Sequence, residues 1–254
     1  MQGLHPLFIG IGMYKNYIFD LYGTLVDINT DENKGTLWKK VAKEYTRLGA
    51  RYSAIRLKKE YKRLCLKHEN ILRKKLGIEK VEIALELVFE ELFTQKGIIP
   101  NDDVVIKLMK YFRAESTKYI KLYDGVEDVL NRLKEKNKKI YLLSNAQYYF
   151  TMPEIEMLDI KKYFDGILIS SSEGVKKPSD KFIEILFKRY GLIKEDSIMI
   201  GNDSVCDIEG AMNFGIDTFY INSNISPDDD KNKSISATYI SPNNCVRDYL
   251  KIIK

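Results

Sequence analysis

An alternation constrains this chain more than any other feature. Strand-like apolar runs recur at about 17–20, 139–143, 166–170, 197–201 and 217–221, with a weaker one at 237–241, and helical patterns separate them. Val126, Val129, Leu130 and Leu133 share one helical face before the second run, and Phe182, Leu186 and Tyr190 do so between the third and fourth. Strands alternating with helices imply an α/β fold built on a parallel, doubly wound sheet. The carboxyl ends of such strands converge on one crevice, where residues distant in sequence can meet.

Residues 31–120 break the alternation with strong helical periodicity and almost no strand signal. Their clearest segment places Val81, Ala84, Leu85, Val88, Phe89 and Leu92 on one broad apolar stripe, which reads as a helix packed into a core. Residues 56–75 carry nine Lys or Arg against two Glu, so nucleic-acid binding has to be weighed. Leu57, Tyr61, Leu64 and Leu72 run along one side of that segment, however, and make it an amphipathic helix with a solvated basic face. His68 lies near its apolar side and reads as structural.

With 254 residues, 44% of them hydrophobic, the chain can bury a sizeable core in one large or two smaller domains. Cys65, Cys206 and Cys245 show no CxxC spacing, which supports neither a disulfide framework nor a zinc site and suits a reducing cytoplasm. No apolar run is long enough for a membrane span, and residues 1–14 lack the marks of a signal peptide. Met13 lies seven residues before Asp20, so residues 1–14 read as an N-terminal extension. The Gly10-Ile11-Gly12 pair precedes the first strand and is not a dinucleotide fingerprint. Net charge of +5 could attract an anionic substrate.

Four segments carry the chemistry. The first run ends in Asp20 and continues as Leu21-Tyr22-Gly23-Thr24-Leu25-Val26-Asp27. Ile140-Tyr141-Leu142-Leu143-Ser144-Asn145, Gly174-Val175-Lys176-Lys177-Pro178 and Ile198-Met199-Ile200-Gly201-Asn202-Asp203-Ser204-Val205-Cys206-Asp207 follow in that order. Together they resemble the haloacid dehalogenase superfamily, whose motifs are a strand ending in Asp, a strand ending in Ser/Thr, a Lys commonly before Pro, and a strand ending in an acidic pair. The resemblance covers nearly the whole chain. It implies a Rossmann-like core over 15–30 and 121–254 with an all-α cap inserted at 31–120, hinged near 27–33 and 113–124. It also implies a small phosphorylated substrate, with the protein a monomer or homodimer that binds neither nucleic acid nor membrane.

In that resemblance Asp20 is the nucleophile, forming an aspartyl-phosphate that is then hydrolysed, and Lys177 screens it and binds the phosphoryl group. Thr24, Ser144 and Asn145 are the further phosphate-binding candidates. Asp20, the Tyr22 backbone carbonyl, Asn202, Asp203 and Asp207 are the candidate ligands of Mg²⁺, a hard ion that takes oxygen donors. An ungapped alignment gives the direct ligand position to Asn202, while an inward turn would give it to Asp203, the favoured candidate.

Tyr22 departs from the pattern, because most phosphatases of the superfamily carry a general acid/base Asp there. Such help is worth about 10²–10⁴-fold in rate. The Asp-x-Tyr-Gly-Thr-Leu motif also resembles the L-2-haloacid dehalogenases, which need no metal and use an arginine near the start of the cap; Lys39, Arg47 and Arg51 are candidates for that role. Mg²⁺-dependent phosphomonoester hydrolysis is the leading expectation, metal-free dehalogenation the alternative, and a non-catalytic phosphate- or metal-binding protein the third.

Overall fold

The computed structural model describes residues 14–232 and 234–251. Its main sheet contains β1 (Asn16–Phe19), and after a ribbon that includes β2 (Val26–Thr30) and β3 (Thr117–Leu122) it takes in β4 (Lys139–Ser144), β5 (Gly166–Ile169), β6 (Ser197–Gly201), β7 (Asp217–Tyr220) and β8 (Tyr239–Ile240). The order is β5-β4-β1-β6-β7-β8 and every neighbouring pair is parallel. The strand order therefore reverses at β1, which lies between β4 and β6. That is the switch point at which a doubly wound sheet opens a crevice.

Alternation along β1 fixes its two faces. Tyr17 and Phe19 pack with Val126, Val129, Leu130 and Leu133 of the helix Val126–Glu135, while Ile18 packs with Phe182, Ile183 and Leu186 of the helix Asp180–Tyr190. Both faces of the strand are buried, as a parallel sheet covered by helices requires. Tyr14 is buried too, its ring edge-on to Tyr17 at 6.4 Å and its hydroxyl bonded to Asp217, so it belongs to this core. Residues 1–13, with the Gly10-Ile11-Gly12 pair, lie outside the described residues.

The insert consists of α1 (Gly35–Arg47), α2 (Ala54–Leu76), α3 (Leu85–Thr94) and α4 (Asp102–Ser116) around an apolar cluster of its own. Ser53 and Asn101 cap α2 and α4 by accepting from Arg56 N and Val104 N. Val88, Phe89 and Leu92 are buried, as their stripe predicts. The helix itself begins later than the stripe suggests: Val81 forms an isolated antiparallel bridge with Val175, and Ala84 is extended. β-Branched Val81 and Ile83 suit that extended backbone, whose partners come from outside the insert.

Neither segment expected as a hinge loop is simply a loop. β2 and β3 pair antiparallel, Val26 opposite Leu122 through Thr30 opposite Thr117, and they join the insert to the sheet domain. Thr117–Leu122 reads Thr-Lys-Tyr-Ile-Lys-Leu and is half-exposed, which hides it from a search for continuous apolar runs.

The basic face of α2 is partly compensated. Arg56 and Arg63 pair with Glu60, Arg73 with Glu69, and Lys67 and His68 with Glu91. Among the described residues no helix is long and apolar enough to cross a membrane.

Candidate active site

The ends of the three central strands build the site. β1 delivers Asp20, β4 delivers Ser144 and Asn145, and β6 delivers Asn202 and Asp203. Beyond Asp20 the chain turns sharply, with Leu21 O accepting from Leu25 N at 2.8 Å and Val26 N at 2.9 Å. Gly23 sits at φ +93°, and a Cβ there would lie 2.3 Å from the Asn202 amide, so both backbone angle and space demand glycine. The turn brings Thr24 Oγ1 within 3.3 Å of Asp20 Oδ2 and of Asn202 Oδ1.

Lys177 is the electrostatic centre. It is 2% exposed, and its Nζ donates at 2.7 Å to Asp20 Oδ1, to Asp207 Oδ1 and to Leu143 O. Burial alone would lower its pKa, but the two carboxylates outweigh burial and raise it. Burial pushes the Asp207 carboxyl up to about 7 against the pull of Lys177. The hydrogen bonding decides its state: Asp207 accepts from Lys177 and, through Oδ2, from Asn202 N and Asp203 N at 3.0 Å, an acceptor-only role that fits the ionised form.

After β6 the chain makes one π-helical turn, Ser204–Glu209, before the helix Gly210–Phe214. Asp203 caps that turn, its Oδ1 accepting from Val205 N at 2.9 Å and Cys206 N at 2.8 Å. Asp20, Tyr22, Asn145, Lys177, Asn202, Asp203, Cys206 and Asp207 line one cavity of about 220 Å³, together with Ile225 and Pro227. Burial pushes the Cys206 thiol up to about 12, and so keeps it protonated and unreactive. Asn145 spends its amide on Lys177, donating to its carbonyl at 3.0 Å and accepting from its N–H at 2.8 Å. Ser144 Oγ is fully buried with no hydrogen-bond partner among the described residues.

Tyr22 points elsewhere. Its hydroxyl donates to Glu154 and lies 3.1 Å from Thr151 Oγ1, both on the helix Tyr148–Met157. Arg113, from α4, grips the same Glu154 with two nitrogens at 2.6 and 3.2 Å. Burial, with Glu154 beside it, drives the Tyr22 pKa well above that of a free phenol.

A second cavity, about 440 Å³, opens between the insert and the sheet domain, sharing Tyr22 and Asn145 with the first. Besides Asn145, its charged and amide lining is Glu32, Glu69, Glu82, Arg113 and Gln147. None of these five was anticipated. Arg113 and Gln147 carry no motif, and only packing of α4 and of the chain after β4 against the insert brings them there. Lys39, Arg47 and Arg51 are exposed on the insert and do not line either cavity, and Arg47 pairs with Glu44.

The haloacid dehalogenase-like hydrolase family matches residues 14–215. Pyrimidine 5'-nucleotidase PynA of Streptococcus pneumoniae is 26% identical over 213 residues, which are 82% of this chain and 84% of that protein. Glyceraldehyde 3-phosphate phosphatase of Pyrococcus abyssi is 29% identical over 102 residues, a match to 40% of this chain and only 43% of that protein. A 2-haloacid dehalogenase from Pseudomonas syringae pv. Tomato shares the fold, with a TM-score of 0.61 at 15% identity over 95% of this chain and 98% of its own. The parallel sheet with its reversal at β1 and the match over most of its length make this chain a member of the haloacid dehalogenase-like hydrolases.

Proposed function

We propose that the protein is a phosphomonoesterase, with Asp20 as nucleophile and the helical insert as a cap over the leaving group. The observation that carries the reading is the frame around Asp20: a buried lysine at 2.7 Å, the Thr24 hydroxyl at 3.3 Å, and the unpartnered buried hydroxyl of Ser144 on the adjacent strand. A buried positive charge beside the carboxylate, with hydroxyl groups close to it, suits a phosphoryl group.

Asp20 Oδ2 attacks phosphorus, the ester P–O bond breaks, and the acyl phosphate is hydrolysed in a second displacement. Lys177 holds Oδ1 so that Oδ2 is the reacting oxygen. Asp207 keeps Lys177 charged and anchors the backbone of Asn202 and Asp203. Four oxygen donors beside the cavity fit Mg²⁺: Asp20, the Tyr22 carbonyl, Asn202 and Asp203 would hold it. Asp207 has both oxygens engaged by protein donors and supports the site from behind. Among the described residues no three His, Cys, Asp or Glu side chains converge as a metal cluster. Bound there, Mg²⁺ would neutralise phosphoryl charge as the carboxylate approaches.

Tyr22 gives no proton to the leaving group, because its hydroxyl is bonded to Glu154 and its pKa is raised. Esters of acidic alcohols and phenols, which leave unaided, should therefore turn over fastest. Glu32 on the wall of the larger cavity favours a leaving group bearing hydroxyl or amine donors over a second anion, while Glu69 and Glu82 are already engaged by Arg73 and by Lys176 and Gln147. Dehalogenation of a 2-haloacid is disfavoured by the same wall, since its one guanidinium, Arg113, is already held by Glu154.

The test is phosphate release from a panel of phosphomonoesters with and without Mg²⁺, with Asp20→Asn as blank. Metal-dependent release that vanishes in the variant supports the reading. Halide release from 2-haloacids with no phosphate release would replace it.

A further inference from the structure

The peptide that carries the catalytic lysine is framed from two sides. On the sheet side Asn145 holds both the N–H and the carbonyl of Lys177. On the other side the segment between α2 and α3 pairs with the three residues just before it. Lys176 N donates to Lys80 O at 3.1 Å and Glu82 N to Gly174 O at 3.2 Å, around the bridge of Val81 with Val175. Both valines are buried, and Leu72 and Leu76 from the end of α2 press on Gly174, where an added Cβ would meet their methyls at 3.6–3.8 Å. Gly174–Lys176 thus belongs to the insert as much as to the sheet domain.

Side chains of the sheet domain tie that junction down: Ser170 Oγ lies 3.4 Å from Glu82 Oε2, and Gln147 makes three bonds. Gln147, immediately before the helix Tyr148–Met157, accepts from Leu85 N through Oε1 at 3.0 Å. Its Nε2 donates to Ile83 O at 2.9 Å and to Glu82 Oε1 at 3.1 Å. Lys176 Nζ lies 3.5 Å from the other oxygen of Glu82, adding charge attraction across the bridge.

We propose that Gln147 is a positioning residue for Lys177. By docking residues 80–85 of the insert onto Gly174–Lys176, it makes closure of the insert and placement of the catalytic lysine one event. Lys177 must keep three hydrogen bonds of 2.7 Å at once, and a displacement of about 1 Å in such a group can cost about 10²-fold in rate. If the insert swings outward about the β2–β3 ribbon, Lys176 N–H and Gly174 C=O lose their partners, and the lysine peptide keeps Asn145 and the Ser179 N–H on Lys176 O. The β2–β3 ribbon and the Arg113–Glu154 pair link the insert to the sheet domain through other residues.

The inference rests on the proposed role of Lys177 and is tested without substrate, so that its failure and that of the phosphatase reading are separate. Hydrogen exchange is followed by mass spectrometry on the full chain, wild type against Gln147→Ala. The expected result is exchange faster by about tenfold in peptides covering both 80–85 and 174–177, with strands β1 and β4 unchanged. Faster exchange confined to 80–85 overturns the proposal. In turnover, Gln147→Ala should lower kcat by about tenfold with KM within about twofold. A rise in KM alone would make Gln147 a substrate contact and overturn the proposal. Should Gln147→Ala fail to fold, Glu82→Pro removes one N–H of the bridge, with Glu82→Ala as control for the carboxylate. Exchange at 174–177 must then be faster in the proline variant than in the alanine variant, and equal exchange overturns the proposal.

Discussion

Around Asp20 the sheet domain buries ions, whereas the insert buries rings. Lys177 and Asp207 are each 2% exposed and bonded to one another. In the insert, Trp38, Tyr61, Phe89 and Phe112 meet with ring centroids 5.2–5.9 Å apart, and Phe150 from the sheet domain joins them at 6.3 Å from Phe112. Aromatic contacts add stability beyond their buried area. A buried ion pair seldom does, because desolvation offsets the attraction, so its retention at the strand ends points to chemistry. The difference separates what the molecule needs to react from what it needs to fold.

Four substitutions sharpen or break that separation. Lys177→Ala should have the largest effect, removing phosphate release and, by leaving Asp20 and Asp207 unpaired, costing about 3–5 kcal/mol of stability in denaturant titration. A variant that keeps turnover would show that the ions are merely structural. Phe112→Ala should cost about 3–5 kcal/mol through its cavity, read by thermal unfolding. A loss below about 1 kcal/mol would deny the aromatic cluster its role in holding the insert.

Tyr22→Phe lies at the boundary between the two regions. It should cost about 1.5–3 kcal/mol of stability by releasing Glu154 from a hydrogen bond, while the pH profile of kcat keeps its shape. A fall of about 10²–10⁴-fold with a lost ionisation would instead make Tyr22 a proton-transfer group. Asp165→Asn, far from both clusters, should be smallest. Burial raises the Asp165 pKa, but Lys134, the Ile140 amide and Lys139 outweigh it and leave the carboxyl below its ordinary value. The stability it adds is therefore present above about pH 4 and is lost as pH falls through the folded pKa. The variant should cost about 1 kcal/mol at pH 7, and the cost should shrink in acid. An equal cost at both extremes would remove the ionic explanation.

Strand positions were legible in the sequence because each strand of the main sheet is a short apolar run: Tyr17–Phe19, Ile140–Leu143 and Ile198–Ile200 need only be recognised as buried on both faces. The helical character of the insert was legible for a similar reason. The β2–β3 ribbon was not, since a half-exposed pair of strands has no continuous apolar signature. Nor was the start of α3: the apolar spacing of Val81 and Ala84 continues that of the helix, and only the partners of Val81 in another part of the chain hold the segment extended.

The sequence by itself determined which residue types could do chemistry and in what order they occur along the chain, because a carboxylate and hydroxyls after apolar runs and a lysine before proline are local facts. Tertiary structure alone decided their assignments. It gave Asp207 to Lys177, turned Tyr22 toward Glu154, and set Arg113 and Gln147 on a cleft that no spacing announces. Hydrogen-bond partners across 30 to 157 residues of chain are fixed by how helices and sheet pack, and the residue types alone do not encode that.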